Sequence, residues 1–171
     1  PIHAGSMRFY VCKQGSRHAA QVSDAVRALE EQERERGFDR YETFKRFSDD
    51  VAATREALME LVTRLRASGK RIAGYGASGR ANTVIQYCGL DPRHLDFMID
   101  DAPAKAGYFT PGSHFEIFPS RVLEGPNPPD YLLVFAWSFF EEIRKRNLGY
   151  LERGGRMILP LPEVKVFPAD A

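Results

Sequence analysis

One segment of the chain has the residue types and spacing to hold phosphate. Gly74-Tyr75-Gly76-Ala77-Ser78-Gly79 fits G-x-G-x-x-G, with an apolar strand-like run before it and a helix-like run after it. In that context the first glycine permits a tight turn, the second lets backbone approach a phosphate, and the third lets the helix pack on the strand. Unpaired N–H groups at the helix start, with the positive end of its dipole, favour an anion. Around the backbone of Gly74, Gly76 and Ala77, Ser78 and Asn82 add side-chain donors and Arg80 adds charge. Asp100 follows Gly79 by about 20 residues, where dinucleotide folds keep the acid that binds a ribose. Asp100 with Asp101 also reads as a solvated turn or a helix cap.

Three further residues are candidate contacts. Lys105 lies in the glycine- and proline-bearing loop 102–113, from which a lysine can reach a diphosphate; a solvated surface lysine is the plainer reading. His114 follows that loop and reads either as a ligand contact or as a strand residue. Trp137 follows the apolar run 131–136, at a strand's carboxyl end, where open α/β sheets bind ligands; it can stack on a base or sugar, or pack in the core. A glycine loop followed by an acid also suits S-adenosylmethionine, but a nearby arginine suits phosphate better than a sulfonium. No Ser-His-Asp set, paired carboxylates or metal-ligand spacing emerges, so no catalytic residue is assigned.

The elements that must position these residues follow from periodicity. Residues 7–12 are aromatic and β-branched and read as a short strand. Residues 18–68 are helical: Val22, Val26 and Leu29 share one helix face, Gly37 is a stop, and a second helix starts near Tyr41. Its apolar stripe runs Phe44, Phe47, Val51, Leu58, Leu61, Val62, Leu65, and Ser68-Gly69-Lys70 closes it. Beyond residue 70, strands at 71–75, 95–100, 115–118, 130–136, 156–159 and 164–167 alternate with helices at 81–87 and 139–148. Such alternation means βαβ units. The expected fold is therefore α/β: a Rossmann-like, mostly parallel sheet over residues 69–171, preceded by residues 1–68 as a strand and an amphipathic helical hairpin.

Composition bounds the partners. The 171 residues are 43% hydrophobic, enough for one core, and 24 basic against 23 acidic residues leave a net charge of +1. That balance argues against nucleic acid or an anionic membrane as partner. No apolar run approaches the roughly 18 residues of a membrane helix, and two cysteines in apolar surroundings, Cys12 and Cys88, make no disulfide framework. No signal-peptide pattern is present, and the expected location is cytoplasmic. The chain opens on Pro1 and reads as a domain of a longer protein.

The ordered motifs resemble a known family. Gly69-Lys70-Arg71-Ile72-Ala73-Gly74-Tyr75-Gly76-Ala77, Asn82-Thr83, Tyr87-Cys88-Gly89 and Thr110-Pro111-Gly112-Ser113-His114 resemble the C-terminal domain of S-adenosylmethionine-dependent sugar C-methyltransferases. So do Asp130-Tyr131, Phe135-Ala136-Trp137, Gly154-Gly155-Arg156 and Pro162-Glu163-Val164. The opening Pro1-Ile2-His3-Ala4-Gly5-Ser6-Met7-Arg8 is similar to the segment that leads into this domain in full-length members, with Ala4 where a second glycine is common. Ser78-Gly79-Arg80 replaces a stretch that often carries lysine.

The resemblance implies three parts: a zinc-binding domain with four cysteines, a central S-adenosylmethionine domain, and this one. It implies a nucleotide diphosphate sugar, commonly a thymidine diphosphate 4-keto sugar, held between the last two. There a base removes the proton beside the ketone and the enolate takes the methyl group from sulfur. The family's Tyr-x-Glu-His motif is not found here. The chain is thus expected to bind the nucleotide sugar and to need an upstream catalytic domain of the same protein. The methyl donor belongs to the central domain, and no cofactor is expected in this chain alone. A stand-alone dinucleotide-binding module and a non-catalytic interaction domain remain the other two readings.

Overall fold

Side chains alternate across the central strand. In β1 (Ile72–Tyr75), Ile72 goes to one buried cluster and Ala73 and Tyr75 to the other, as a period of two requires. A strand buried on both faces needs cover on both, the condition of a parallel sheet. The computed structural model describes residues 7–19 and 23–168. Its sheet has six strands in the order β3-β2-β1-β4-β5-β6, with β2 Met98–Asp100, β3 Ile117–Pro119, β4 Tyr131–Val134, β5 Arg156–Leu159 and β6 Lys165–Phe167. All neighbours are parallel except β5 and β6. Gly74 is in register with Met98 on one side and Leu133 on the other.

The helices are α1 (Asp24–Glu35), α2 (Tyr41–Ala67), α3 (Gly79–Cys88), α4 (Phe140–Arg146) and α5 (Leu148–Glu152). The chain divides into two compact units, 1–51 and 52–171. In the second unit, Leu58 and Val62 of α2 and Ala81, Ile85 and Cys88 of α3 pack with Ile72, Met98, Leu133 and Ile158 on one sheet face. Phe140, Ile143 and Tyr150 of α4 and α5, with Leu123, cover the other. Arg66 fastens the end of α2: its Nη1 donates to both Asp96 oxygens at 3.0 Å and its Nε to the Arg93 carbonyl at 3.0 Å. Asp96 also accepts the N–H of Ile72 at 3.1 Å, so one carboxylate anchors a helix and starts the central strand. Gly155 lies flat against the Tyr150 ring, where a Cβ would come within 2.3 Å of ring carbon.

In the first unit, α1 is capped by Ser23, whose hydroxyl accepts from the Ala25 N–H at 3.2 Å, and Gly37 follows its end at φ 70°. Two expectations are corrected here. Residues 7–12 form no strand and are exposed, because no strand among the described residues takes up their backbone hydrogen bonds; Cys12 is exposed too. The stripe of α2 is buried only in the second unit: Phe44 and Phe47 are exposed. Val22 lies outside the described residues. Strand β2 is also shorter than expected, since Asp96 leaves the strand pattern to bind Ile72 and Arg66.

Candidate functional site

The strand order changes direction between β1 and β4, and the carboxyl ends of these strands frame a switch point. The glycine turn sits there, but its glycines divide the work differently from the expected pattern. Gly74 is still in β1 and serves packing: a Cβ would fall 2.2 Å from Met98 Sδ and 2.7 Å from the Phe135 ring. Gly76 carries the turn, at φ 94°, and passes so close to β4 that a Cβ would lie 3.0 Å from that of Ala136. Gly79 has open space around its Cβ position, so helix packing does not require it. The close packing assigned to the third glycine falls on the first because Gly74 sits between two neighbouring strands.

Ser78 caps α3 with an extended backbone, and its hydroxyl accepts from the Ala81 N–H at 3.3 Å. Helix geometry leaves the N–H groups of Gly79 and Arg80 without intrahelical acceptors, which is the arrangement that receives an anion. A cleft of about 480 Å³ opens here, lined by Ala77, Ser78, Gly79 and Asn82 on one side and by Lys105, Thr110 and Pro111 on the other. Asn82 Oδ1 is buried without a hydrogen-bond partner. Thr110 is held by a local buckle: its Oγ1 accepts from the Phe115 N–H at 2.9 Å and pairs with Ser113 Oγ at 2.8 Å.

Lys105 ends a short 3-10 turn, Pro103–Lys105. Its Nζ donates to the Ala77 carbonyl at 2.8 Å and to Asp100 Oδ2 at 2.9 Å. Asp100 Oδ1 accepts from the Ala102 N–H at 2.9 Å. The acid at the end of β2 is thus engaged on both oxygens by the protein itself; its bond to Ala102 closes a turn, and the 3-10 turn that follows has no side-chain cap. On the opposite sheet face Tyr75 donates to Asp101 at 2.7 Å, and burial, then that hydrogen bond, pushes its phenol up to about 12.

Of the residues singled out from sequence, the cleft brings together Ala77, Ser78, Asn82 and Lys105. Arg80 and Trp137 meet each other: the guanidinium carbon lies 5.3 Å from the ring centroid, and Nη1 donates to Ser138 Oγ at 3.1 Å. His114 stands apart, exposed and at φ 55°, and does not line the cleft. Thr110 and Pro111 were not singled out as contacts, although the Thr-Pro-Gly-Ser turn marks an ordered loop beside Lys105. Among the described residues no cluster of His, Cys, Asp and Glu could hold a metal ion, and no helix is long and apolar enough to cross a membrane.

The family model for the C-methyltransferase C-terminal domain matches residues 1–162. The chain belongs to this family. Among curated proteins it is similar to the C-methyltransferase NovU of Streptomyces niveus, 33% identical over 170 residues, or 99% of this chain. That alignment covers 40% of the relative, so this C-terminal domain spans less than half of that protein's length. The family match includes the glycine turn, the Lys105 loop and the cleft that these two line.

Proposed function

We propose that this C-terminal domain holds the diphosphate of a nucleotide-linked sugar while an upstream catalytic domain of the same protein transfers a methyl group to a sugar carbon. One observation carries the reading: the amino end of α3 opens onto a cleft at the switch point, with Lys105 beside it. The contribution of these residues is binding and orientation. A sugar fixed relative to its reaction partner reacts as if at very high local concentration, so a domain that only holds the sugar still accelerates the reaction.

The residues of the turn do not fit S-adenosylmethionine. Arg80 stands at the turn as a cation, and the acid that would take the ribose hydroxyls is engaged by Lys105 and Ala102. The same engagement counts against a dinucleotide. The proposal therefore assigns the methyl donor to the upstream domain. A cytoplasmic location is part of the same proposal.

Calorimetric titration of the chain with thymidine diphosphate and, separately, with S-adenosylmethionine tests the proposal. The expected result is saturable binding of the diphosphate and none of the methyl donor. Binding of the methyl donor with no diphosphate binding sinks it. Stabilisation by NADH but not by thymidine nucleotides would return the dinucleotide reading.

A further inference from the structure

We infer that Lys105 is a positioning residue for the glycine turn, with Asp100 as its fixed counter-charge, so that the backbone N–H groups and not the lysine carry an anionic ligand. The inference deepens the proposed diphosphate site and rests on that reading for its ligand arm. A lysine beside a phosphate-binding turn is ordinarily taken as a point charge for phosphate. Here two of the ammonium's three N–H donors go to the protein: one bond to the Ala77 carbonyl at 2.8 Å and one to Asp100 Oδ2 at 2.9 Å. Asp100 is not free to follow a moving lysine, because its other oxygen is held by the Ala102 N–H and its side chain is only 11% exposed.

The carbonyl that Lys105 holds is the informative one. A trans peptide is planar, so the C=O of Ala77 and the N–H of Ser78 point in opposite directions and turn together. Fixing that carbonyl fixes the plane of the peptide that leads into the cap of α3. Without Lys105 the Ala77–Ser78 peptide can rotate between the positive-φ turn at Gly76 and the capping residue, and the donor array at the helix start loses its aim. The pair is also electrically neutral, so it sets geometry without adding net charge to the cleft.

Two measurements on the full chain test this. Amide hydrogen exchange needs no ligand. Lys105→Met should speed exchange of the Ala81 N–H, which Ser78 Oγ holds, at least tenfold while amides of β1 and β4 keep their protection; unchanged exchange at Ala81 overturns the inference. If Lys105→Met does not fold, the double variant Lys105→Met with Asp100→Asn, which leaves no unpaired carboxylate, carries the same test. The second measurement titrates thymidine diphosphate into the double variant Lys105→Met with Asp100→Asn, which keeps the net charge of the cleft, at several salt concentrations. A positioning pair predicts binding about tenfold weaker than the parent with the same salt slope. A lysine that contacts phosphate directly predicts weaker binding with a shallower slope, because one ionic contact to the ligand is lost, and that result also overturns the inference. If the parent chain binds no diphosphate, the proposed function falls and the exchange measurement alone decides the role of Lys105.

Discussion

The hydroxyl of Tyr75 donates to Asp101 across 2.7 Å, and Arg146 meets the second oxygen of that carboxylate at 3.1 Å. Asp100, its neighbour, serves Lys105. Successive residues at a strand end point to opposite faces, so two adjacent aspartates brace one glycine turn from both sides of the sheet. Asp101 does so through Tyr75, inside the turn's own sequence, and Asp100 through Lys105 and the Ala77 carbonyl.

This brace makes stability fall in alkali. The Tyr75 phenol is raised from 10.0 to about 12, by burial first and then by its hydrogen bond to Asp101. Below pH 10 both folded and unfolded chains keep the proton. Between pH 10 and about 12 the unfolded chain releases it and the folded chain does not, so unfolding gains and stability drops. Tyr75→Phe should cost about 1 kcal/mol at neutral pH through the lost hydrogen bond and flatten the alkaline decline. Thermal melts from pH 7 upward check both. Burial also raises Tyr150, so some slope remains in the variant; a slope equal to the parent's would contradict the assignment to Tyr75.

Two glycines of the turn, Gly74 and Gly79, should answer differently to alanine. At Gly74 a methyl collides with Met98 and Phe135, both buried, and overpacking of this kind costs about 1–3 kcal/mol. At Gly79 there is open space, no positive φ and a helical backbone, so alanine should be neutral or stabilising by up to about 1 kcal/mol. Urea unfolding of the two variants measures the contrast. Equal losses would mean that Gly79 packs more tightly than the structure shows.

Asp96→Ala should be among the costlier single changes outside the core. It removes both bonds from Arg66 and the acceptor of the Ile72 N–H, in a pair whose side chains are only 26% and 25% exposed. Bonds to charged groups are worth about 1.5–3 kcal/mol each, and the loss should be about 3 kcal/mol, with Arg66 left to its carbonyl partners. Chemical denaturation is the measurement, and a change below about 0.5 kcal/mol would show that the pair does not hold α2 to the sheet.

What the sequence made legible was mostly local. Alternation placed β5 at Arg156–Leu159, and the break in pattern after Gly37 placed the start of α2 at Tyr41. The glycine pattern located the turn because strand, turn and helix are consecutive. The misreadings share a cause, which is that the outcome depended on a distant partner. Residues 7–12 have strand-like side chains but no strand to pair with among the described residues. Phe44 and Phe47 continue the spacing of Leu58 and Val62, yet spacing does not reveal where along a helix the packed surface begins. Gly74 reads as a turn residue until Met98 and Phe135 are seen beside it. Lys105 and Asp100 were both singled out, but only the fold brings Ala77 to the same ammonium and so suggests a different task for it.

Arg80 and Trp137 lie far apart in sequence and supply an optical report on the turn. Trp137 is the single tryptophan of the chain, and the Arg80 guanidinium covers its ring at 5.3 Å while bonding Ser138. Arg80→Ala uncovers the indole, so emission should shift to the red by a few nanometres and acrylamide should quench it more readily. Stability should fall by no more than about 1 kcal/mol, the worth of an exposed cation–π contact. Arg80→Lys should give an intermediate spectrum, since an ammonium keeps the charge but not the planar stack. An anion at the amino end of α3 competes for the guanidinium, so titrating thymidine diphosphate into the parent chain should move its emission in the same direction as Arg80→Ala. In that variant the ligand should leave emission almost unchanged. Quenching that is the same in parent and variant would mean that Arg80 does not cover Trp137 in solution.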